Sequence, residues 1–432
     1  MIRSCPRPDR AAAVHLLAPV ALALALTSSA CHAQDTAPQD TARVRALVDS
    51  LLPRLQVLAG LRAERPIRIG YRTRAEVRSY IVRQLDRDLP PADLAGMQAT
   101  YAALGLIPDT LRLRRLLVDL YTEQVGGYYD PETKTFYTVE GTPRDMLRTV
   151  LAHELVHALQ DQHTNLDSLV SRRRGNDPQS AAQAAIEGQA TAVMFALITE
   201  EASGQAVEPA RLPDLGAQLR PALEAQNSRF PVFRRAPPVI REGLVFPYLQ
   251  GASFVEALWR SRLRPGAGPS VPWPAPLDSL LPQSTEQVMH PERFLDLRDA
   301  PTALRLGATT GPLWRTAWEN GMGEMEMTLF LRQHLGPAAS ARGWDGDAYR
   351  LLQGPGGARA LVWYSVWDDD AAADAFAAAY RRTLVVRPAR HALVERQTVD
   401  GRPVVRVVDA PAAVPLESVP SVPLVQLLGG VP

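Results

Sequence analysis

The chain has 432 residues, 46% of them hydrophobic and 22% charged, with a formal net charge of +1. That length and balance suit a globular protein of two or three domains. The near-neutral charge excludes a nucleic-acid partner, which would require a basic face to displace counterions. Lysine occurs once, at Lys134; the remaining positive charge is arginine.

Arg3, Arg7 and Arg10 precede an almost wholly apolar run from Ala11 to Leu26, and the small residues Thr27 to Ala30 follow. This three-part form predicts an export signal over residues 1–33 and a periplasmic or extracellular destination. The run is short for a membrane span and is interrupted by His15 and Pro19. No later apolar run approaches spanning length, so no transmembrane span is expected in the mature chain. Both cysteines, Cys5 and Cys31, lie in the leader, so no disulfide is expected after its removal. Ser28-Ser29-Ala30-Cys31 has the form of a lipoprotein cleavage site, which makes Cys31 a candidate lipid anchor; cleavage after Ala33 is the alternative.

After a polar linker, Ala42 to Ala59 places Val44, Leu47, Val48, Leu51, Leu52, Leu55 and Leu58 at helical spacing. Pro66 to Tyr71 reads as a short strand. Helices are predicted over Arg74–Leu85, Pro91–Leu104 and Asp109–Gln124, the last capped by Asp109 or Thr110. From Gly126 to Val139, two aromatic runs flank the turn signal Asp130-Pro131-Glu132-Thr133. A hairpin follows from this, with Lys134 to Val139 as its second strand. Thr142 as cap and Pro143 at the first helical position open a helix running to about Asp161. Beyond a charged loop with Arg172, Arg173 and Arg174, Asp177-Pro178 opens another, to about Glu200.

Residues 203–335 read as mainly helical with Pro-rich connections, ending in a helix over Leu313–Leu335. The character then changes. Ala360–Trp367 is a strand, Asp370–Leu384 a helix, and Ala392–Val408 a hairpin turning at Asp400-Gly401. Trp344, Trp363 and Trp367 are its expected core. The predicted division is a catalytic domain over 34–205, a helical extension closing the cleft over 206–338, a small α+β module over 339–410 and an irregular tail over 411–432.

His153-Glu154-Leu155-Val156-His157 carries the chemistry. Two histidines four residues apart lie on one helix face, one turn apart, where both imidazoles reach one tetrahedral zinc. Glu154 is the candidate general base, and zinc lowers the pKa of a water to about 7. A catalytic zinc needs a third protein ligand and one open position. Glu187 lies in an otherwise apolar or small-residue helix, where a carboxylate is costly unless paired or ligating. Ala181, Ala184, Gly188 and Ala192 are spaced to let that helix approach the first one closely. His163 is the competitor, six residues after His157. Gln160 stands where that spacing requires a glycine turn, and the helix continues, so Glu187 is favoured. Asp161 is a candidate partner for a ligand.

The order HELVHALQDQH followed by EGQA resembles the gluzincin group of zinc metallopeptidases. It is also similar to a set of poorly characterised bacterial proteins with predicted metallopeptidase domains. That set shares the hairpin GYYDPETKTFY and a Pro-x-Ser-Thr-Glu-Gln-x-x-His-Pro element, here Pro282 to Pro291. The resemblance spans roughly residues 120–370. It implies an α+β, zincin-like, predominantly helical catalytic domain with a short sheet. It also implies His153, His157 and Glu187 as ligands to Zn2+, Glu154 as base, and a peptide or protein substrate. Gluzincins often carry an acidic residue four positions after the ligand glutamate, orienting the first histidine; Thr191 stands there. The resemblance further implies an edge strand pairing with extended peptide, for which Lys134–Val139 is the candidate. Donors for a developing oxyanion are, in order, His290, Tyr248 and Tyr129. The rival readings are a zinc hydrolase of non-peptide amides or esters, and a non-catalytic binding protein retaining the helix pair. Glu154 argues against the second, because a structural zinc site needs no base.

Overall fold

The computed structural model describes residues 41–169, 175–211, 214–263 and 273–428. The leader with Cys31 and the run Arg172–Arg174 lie outside the described residues. The elements in chain order begin with α1 (Thr41–Ala59), β1 (Arg68–Arg72), α2 (Arg74–Asp88), α3 (Pro91–Ala103), α4 (Leu113–Gln124), β2 (Gly127–Asp130) and β3 (Thr135–Val139). Then come α5 (Arg144–His163), α6 (Leu166–Leu169), α7 (Asn176–Ser203), α8 (Leu215–Asn227), α9 (Pro231–Arg235), α10 (Pro238–Arg260) and α11 (Thr285–Met289). The last are β4 (Ala303–Leu306), β5 (Arg315–Asn320), α12 (Gly323–Leu335), β6 (Trp344–Gln353), β7 (Arg359–Trp367), α13 (Asp370–Val385), β8 (Arg390–Val399), β9 (Arg402–Pro411) and β10 (Leu424–Leu428). Helices and three separate sheets thus coexist, which is compatible with the α+β class.

The apolar spacing of α1 does what its period predicts. Val44, Val48, Leu51, Leu55 and Leu58 are buried, and they share a core with Leu151, Leu155 and Leu159 of α5, Val193 of α7, and Leu249 and Phe254 of α10. The small sheet beside this core has the order β1-β3-β2. β3 pairs parallel with β1, Ile69 opposite Phe136, and antiparallel with β2, Tyr129 opposite Phe136. The hairpin is therefore as expected, but Lys134–Val139 is not an edge. A third strand, β1, far upstream in the chain, covers β3, and β2 is the edge of the sheet on the α5 side.

The five-stranded sheet has the order β5-β6-β7-β9-β8, antiparallel throughout. One face packs on α12, α13 and the early helices α2–α4, burying Trp318, Trp344, Trp363 and Trp367. The other is covered by β4 and β10, with Leu306, Val362, Val408 and Val422 between them. Three expectations change here. Leu313–Leu335 is a strand and a helix, broken at Gly321-Met322-Gly323, where Gly323 takes φ +76. Trp318 leaves the helical register to lie over Gly96 of α3, where a Cβ would come within 2.4 Å of its ring. β6 escaped prediction because Asp345, Gly346 and Asp347 read as a turn. The tail from Ala410 is not irregular throughout, since Leu424–Leu428 pairs with β4.

The α4 cap at Asp109 or Thr110 does not form; the helix starts at Leu113, after Arg112. Thr142 does not cap α5 but donates its hydroxyl to the Gly126 carbonyl at 2.6 Å, closing the hairpin onto the helix start. α7 is the one described helix long and apolar enough to cross a membrane, contrary to the sequence reading. Alanine and glycine raise its mean hydropathy without forming one long run of large apolar residues. It is buried inside the fold along nearly its whole length.

Candidate metal centre

His153 and His157 lie one turn apart on α5, their rings edge to face with centroids 4.8 Å apart. Glu187 reaches them from α7. Its Oε2 lies 3.0 Å from His153 Nε2 and 3.3 Å from His157 Nε2, and the two Nε2 atoms are 3.1 Å apart. Zinc bound tetrahedrally at 2.0–2.1 Å needs ligand atoms about 3.3 Å from one another. The chemistry of the set agrees with that spacing. A carboxylate oxygen only accepts, and two facing imidazole nitrogens can share one proton. Three electron-pair donors therefore converge on one point, which a cation fits.

Exposure is 3% for His153, 1% for Glu187 and 0% for Glu154 and His157, so the centre is closed to solvent. Burial opposes charge on every group, yet Glu187 and His157 sustain each other. The two histidines hold the Glu187 carboxyl down at about 2 despite its burial. Burial acts against charge on His157 too, but Glu187 outweighs it and holds that imidazole up at about 9. For His153 burial dominates and the shift is downward.

Helix packing sets the position of Glu187. Next to it, Gly188 meets Gly251 of α10 so closely that a Cβ would lie 2.2 Å from the Gly251 backbone. A Cβ on Gly251 would lie 2.0 Å from the Ala184 carbonyl oxygen. The small residues Ala184 and Gly188 thus admit α10, and not α5 as the sequence suggested. That crossing brings Tyr248, one turn before Gly251, to the centre, its ring centroid 5.9 Å from that of His153. Burial first, then the charges of Glu187 and Glu154, raise the Tyr248 hydroxyl well above its ordinary range.

Glu154, close enough to the centre for its charge to act on His157 and Tyr248, also reaches β2, where its Oε2 accepts the Tyr129 amide hydrogen at 2.7 Å. The Tyr129 hydroxyl is committed to Asp161 at 2.7 Å, and Lys134 reaches the same Asp161 oxygen at 2.7 Å. Tyr129 is therefore not an oxyanion donor, and Asp161 steadies the hairpin instead of a metal ligand. His163 points away from the centre and donates to the Arg62 carbonyl at 2.7 Å. His290 Nε2 meets Glu324 of α12 at 2.9 Å. Its element is a clasp: Thr285 gives its amide and its hydroxyl to Asp177 at the start of α7, and its Oγ1 accepts from Met325 of α12 at 3.1 Å. Glu286, Asp299 and Asp368 form a second acidic group, but Arg293 already sits among them, 2.6 Å from Asp299 and bonded to Asp368.

Sequence reading passed over Gln160. Its Oε1 lies 2.8 Å from His157 Nδ1, on the side of the ring away from the cluster. Thr191 is buried and its hydroxyl orients neither histidine; it makes no hydrogen bond. A glutamine three residues on was noticed only as a missing glycine, because its value depends on what α1 and α7 bring to it.

Residues 312–419 match a family described as a domain of unknown function, DUF8575. The match covers the five-stranded sheet with α12 and α13, a quarter of the chain, and none of the candidate centre. No curated protein and no solved structure is detectably similar to the chain.

Proposed function

We propose that the chain is an exported zinc-dependent metallohydrolase with a zincin-like catalytic fold, acting on peptide bonds. One observation carries this reading: His153, His157 and Glu187 converge at 3.0–3.3 Å, with Glu154 on the same helix held by a backbone amide. The three ligand atoms would hold the ion, which supplies Lewis acidity and a water of lowered pKa. Glu154 takes a proton from the attacking water and returns it to the leaving nitrogen. The Tyr129 amide holds Glu154 in place through Oε2. Tyr248, kept protonated, is the donor assigned to the developing oxyanion; His290 is engaged with Glu324. β2 takes over the role expected of Lys134–Val139, as the edge strand beside Glu154 on which extended peptide adds.

The closed centre favours one second reading, a small amide or ester substrate, which needs less opening than a polypeptide. The deciding experiment runs zinc-loaded protein against an internally quenched peptide library and a panel of small amides and esters. Peptide cleavage that falls about 100- to 10,000-fold in Glu154→Gln at unchanged zinc content supports the proposal. Turnover confined to the small panel selects the second reading. Equal behaviour of Glu154→Gln and the parent chain would leave a metal-binding protein without catalysis.

A further inference from the structure

A helix leaves its last carbonyls without partners inside the helix. At the end of α1, Gly60 takes φ +66, Leu61 N donates to the Gln56 carbonyl at 3.2 Å and Gly60 N to the Val57 carbonyl at 3.3 Å. This closing turn satisfies Gln56 and Val57. The Ala59 carbonyl is taken from elsewhere: Gln189 of α7 donates to it from Nε2 at 2.9 Å. Gln189 Oε1 then accepts from Gln160 Nε2 at 2.9 Å, and the second hydrogen of that Nε2 goes to the Ile186 carbonyl at 3.0 Å. Gln160 Oε1 is left facing His157 Nδ1 at 2.8 Å. Ala59, Gln160 and Gln189 are all fully buried.

The direction of this relay is not free. The carbonyls of Ala59 and Ile186 can only accept, so each must face an amide nitrogen. Turning over Gln189 alone would set oxygen against oxygen at Ala59 and N–H against N–H at Gln160. Turning over Gln160 would do the same at Ile186 and leave Gln189 facing a second acceptor. Each such buried mismatch leaves desolvated polar atoms unbonded and facing their own kind. Two backbone carbonyls therefore dictate that Gln160 presents its oxygen, and an oxygen there requires the hydrogen on His157 Nδ1. We infer that Gln160 and Gln189 are positioning residues that hold a hydrogen on His157 Nδ1, so that Nε2 is the nitrogen turned to the metal. The end of α1 is the fixed point from which the lock is set. This inference rests on the zinc reading above and adds to it a pair of residues outside the ligand set. The position four residues after Glu187, where gluzincins carry an orienting acid, is Thr191 and plays no such part.

The test measures zinc affinity by competition with a chromophoric chelator for the parent chain, Gln160→Met and Gln160→Glu. It adds ¹⁵N shifts of the His157 ring in the zinc-loaded parent chain. Gln160→Met cannot accept from Nδ1 and is expected to bind zinc 10- to 100-fold more weakly. Gln160→Glu keeps an acceptor for Nδ1 while losing the hydrogens given to Ile186 and Gln189, and is expected to bind zinc more tightly than Gln160→Met. The ring shifts are expected to show a protonated Nδ1 and a metal-bound Nε2. Equal affinity in Gln160→Met, or a ring coordinated through Nδ1, overturns the inference while leaving the zinc reading intact. A parent chain that binds no zinc removes the zinc reading, and the inference falls with it. If Gln160→Met does not fold, the ring shifts of the parent chain decide alone.

Discussion

Two buried carboxylates, Asp347 in the C-terminal sheet and Glu187 on α7, look alike in sequence and differ in what meets them. Asp347 is surrounded by donors: the Met322 and Gly323 amides at 2.9 Å, the Trp344 indole at 3.0 Å and the Trp363 indole at 2.8 Å. Asp409 in the same module is met by the Tyr380 hydroxyl at 2.6 Å and by Arg387 and Arg390. Glu187 instead faces two imidazole nitrogens that converge with it on one point. A buried acid ringed by N–H and O–H groups is finished as structure. One grouped with two imidazole nitrogens within 3.3 Å makes a set able to hold a metal ion.

The sharpest way to break this comparison is to remove each carboxylate in turn. Asp347→Ala strands four buried donors and is expected to lose at least about 3–4 kcal/mol of unfolding free energy in urea melts, with or without metal. Glu187→Ala also breaks a buried pair with the histidines, but what sets it apart from Asp347→Ala is expected in the response to zinc. At a thousandfold excess over Kd, zinc adds about 4 kcal/mol to the parent chain, and a chelator takes it away. In Glu187→Ala the melt is expected not to move with chelator at all. A chelator-sensitive melt in that variant would mean that Glu187 does not ligate.

A smaller effect tests the helix crossing that delivers Glu187 and Tyr248. Gly251→Ala puts a methyl against the Ala184 carbonyl and is expected to cost about 2–3 kcal/mol, read from the same melts. Gly243→Ala on the same helix meets nothing within 4 Å and is the control, expected to be neutral or better.

The smallest effect concerns pH. Glu326 accepts from Tyr101 at 2.7 Å, and burial raises its carboxyl to about 7. An unfolded glutamate titrates near 4.3. Between these values the folded chain holds one proton more than the unfolded one, so its contribution is full below about 4 and lost as pH rises through about 7. Glu326→Gln is expected to flatten that limb by about 2 kcal/mol between pH 5 and pH 8. An unchanged slope would mean that the Glu326 carboxyl is charged in the folded state.

Much of the centre was legible because it depends on one helix at a time. The four-residue spacing of His153 and His157 fixes their shared face, and Glu187 stood out because an unpaired acid is costly in an alanine-rich helix. What escaped depends on a second element far along the chain. Gly188 could not announce that its partner is Gly251. Gln160 has no meaning without the Ala59 carbonyl and Gln189. Asp345, Gly346 and Asp347 look like a turn until the indoles of Trp344 and Trp363 are there to receive an acid inside a strand. The sheet edge was misjudged because β1 comes from before three further helices, and hairpin signals say nothing of a third strand.

The length and apolarity of α7 have a consequence for delivery. For a chain carried unfolded across a membrane, a translocation channel weighs each emerging segment for release into lipid. Asn176–Ser203 is long and apolar enough to be retained there. A charge near the centre of such a segment costs about 3 kcal/mol in insertion, and Glu187 is the only charged residue between Asp177 and Glu200. If the chain is exported unfolded, the carboxylate that completes the candidate centre would thus also oppose retention of this helix in the bilayer.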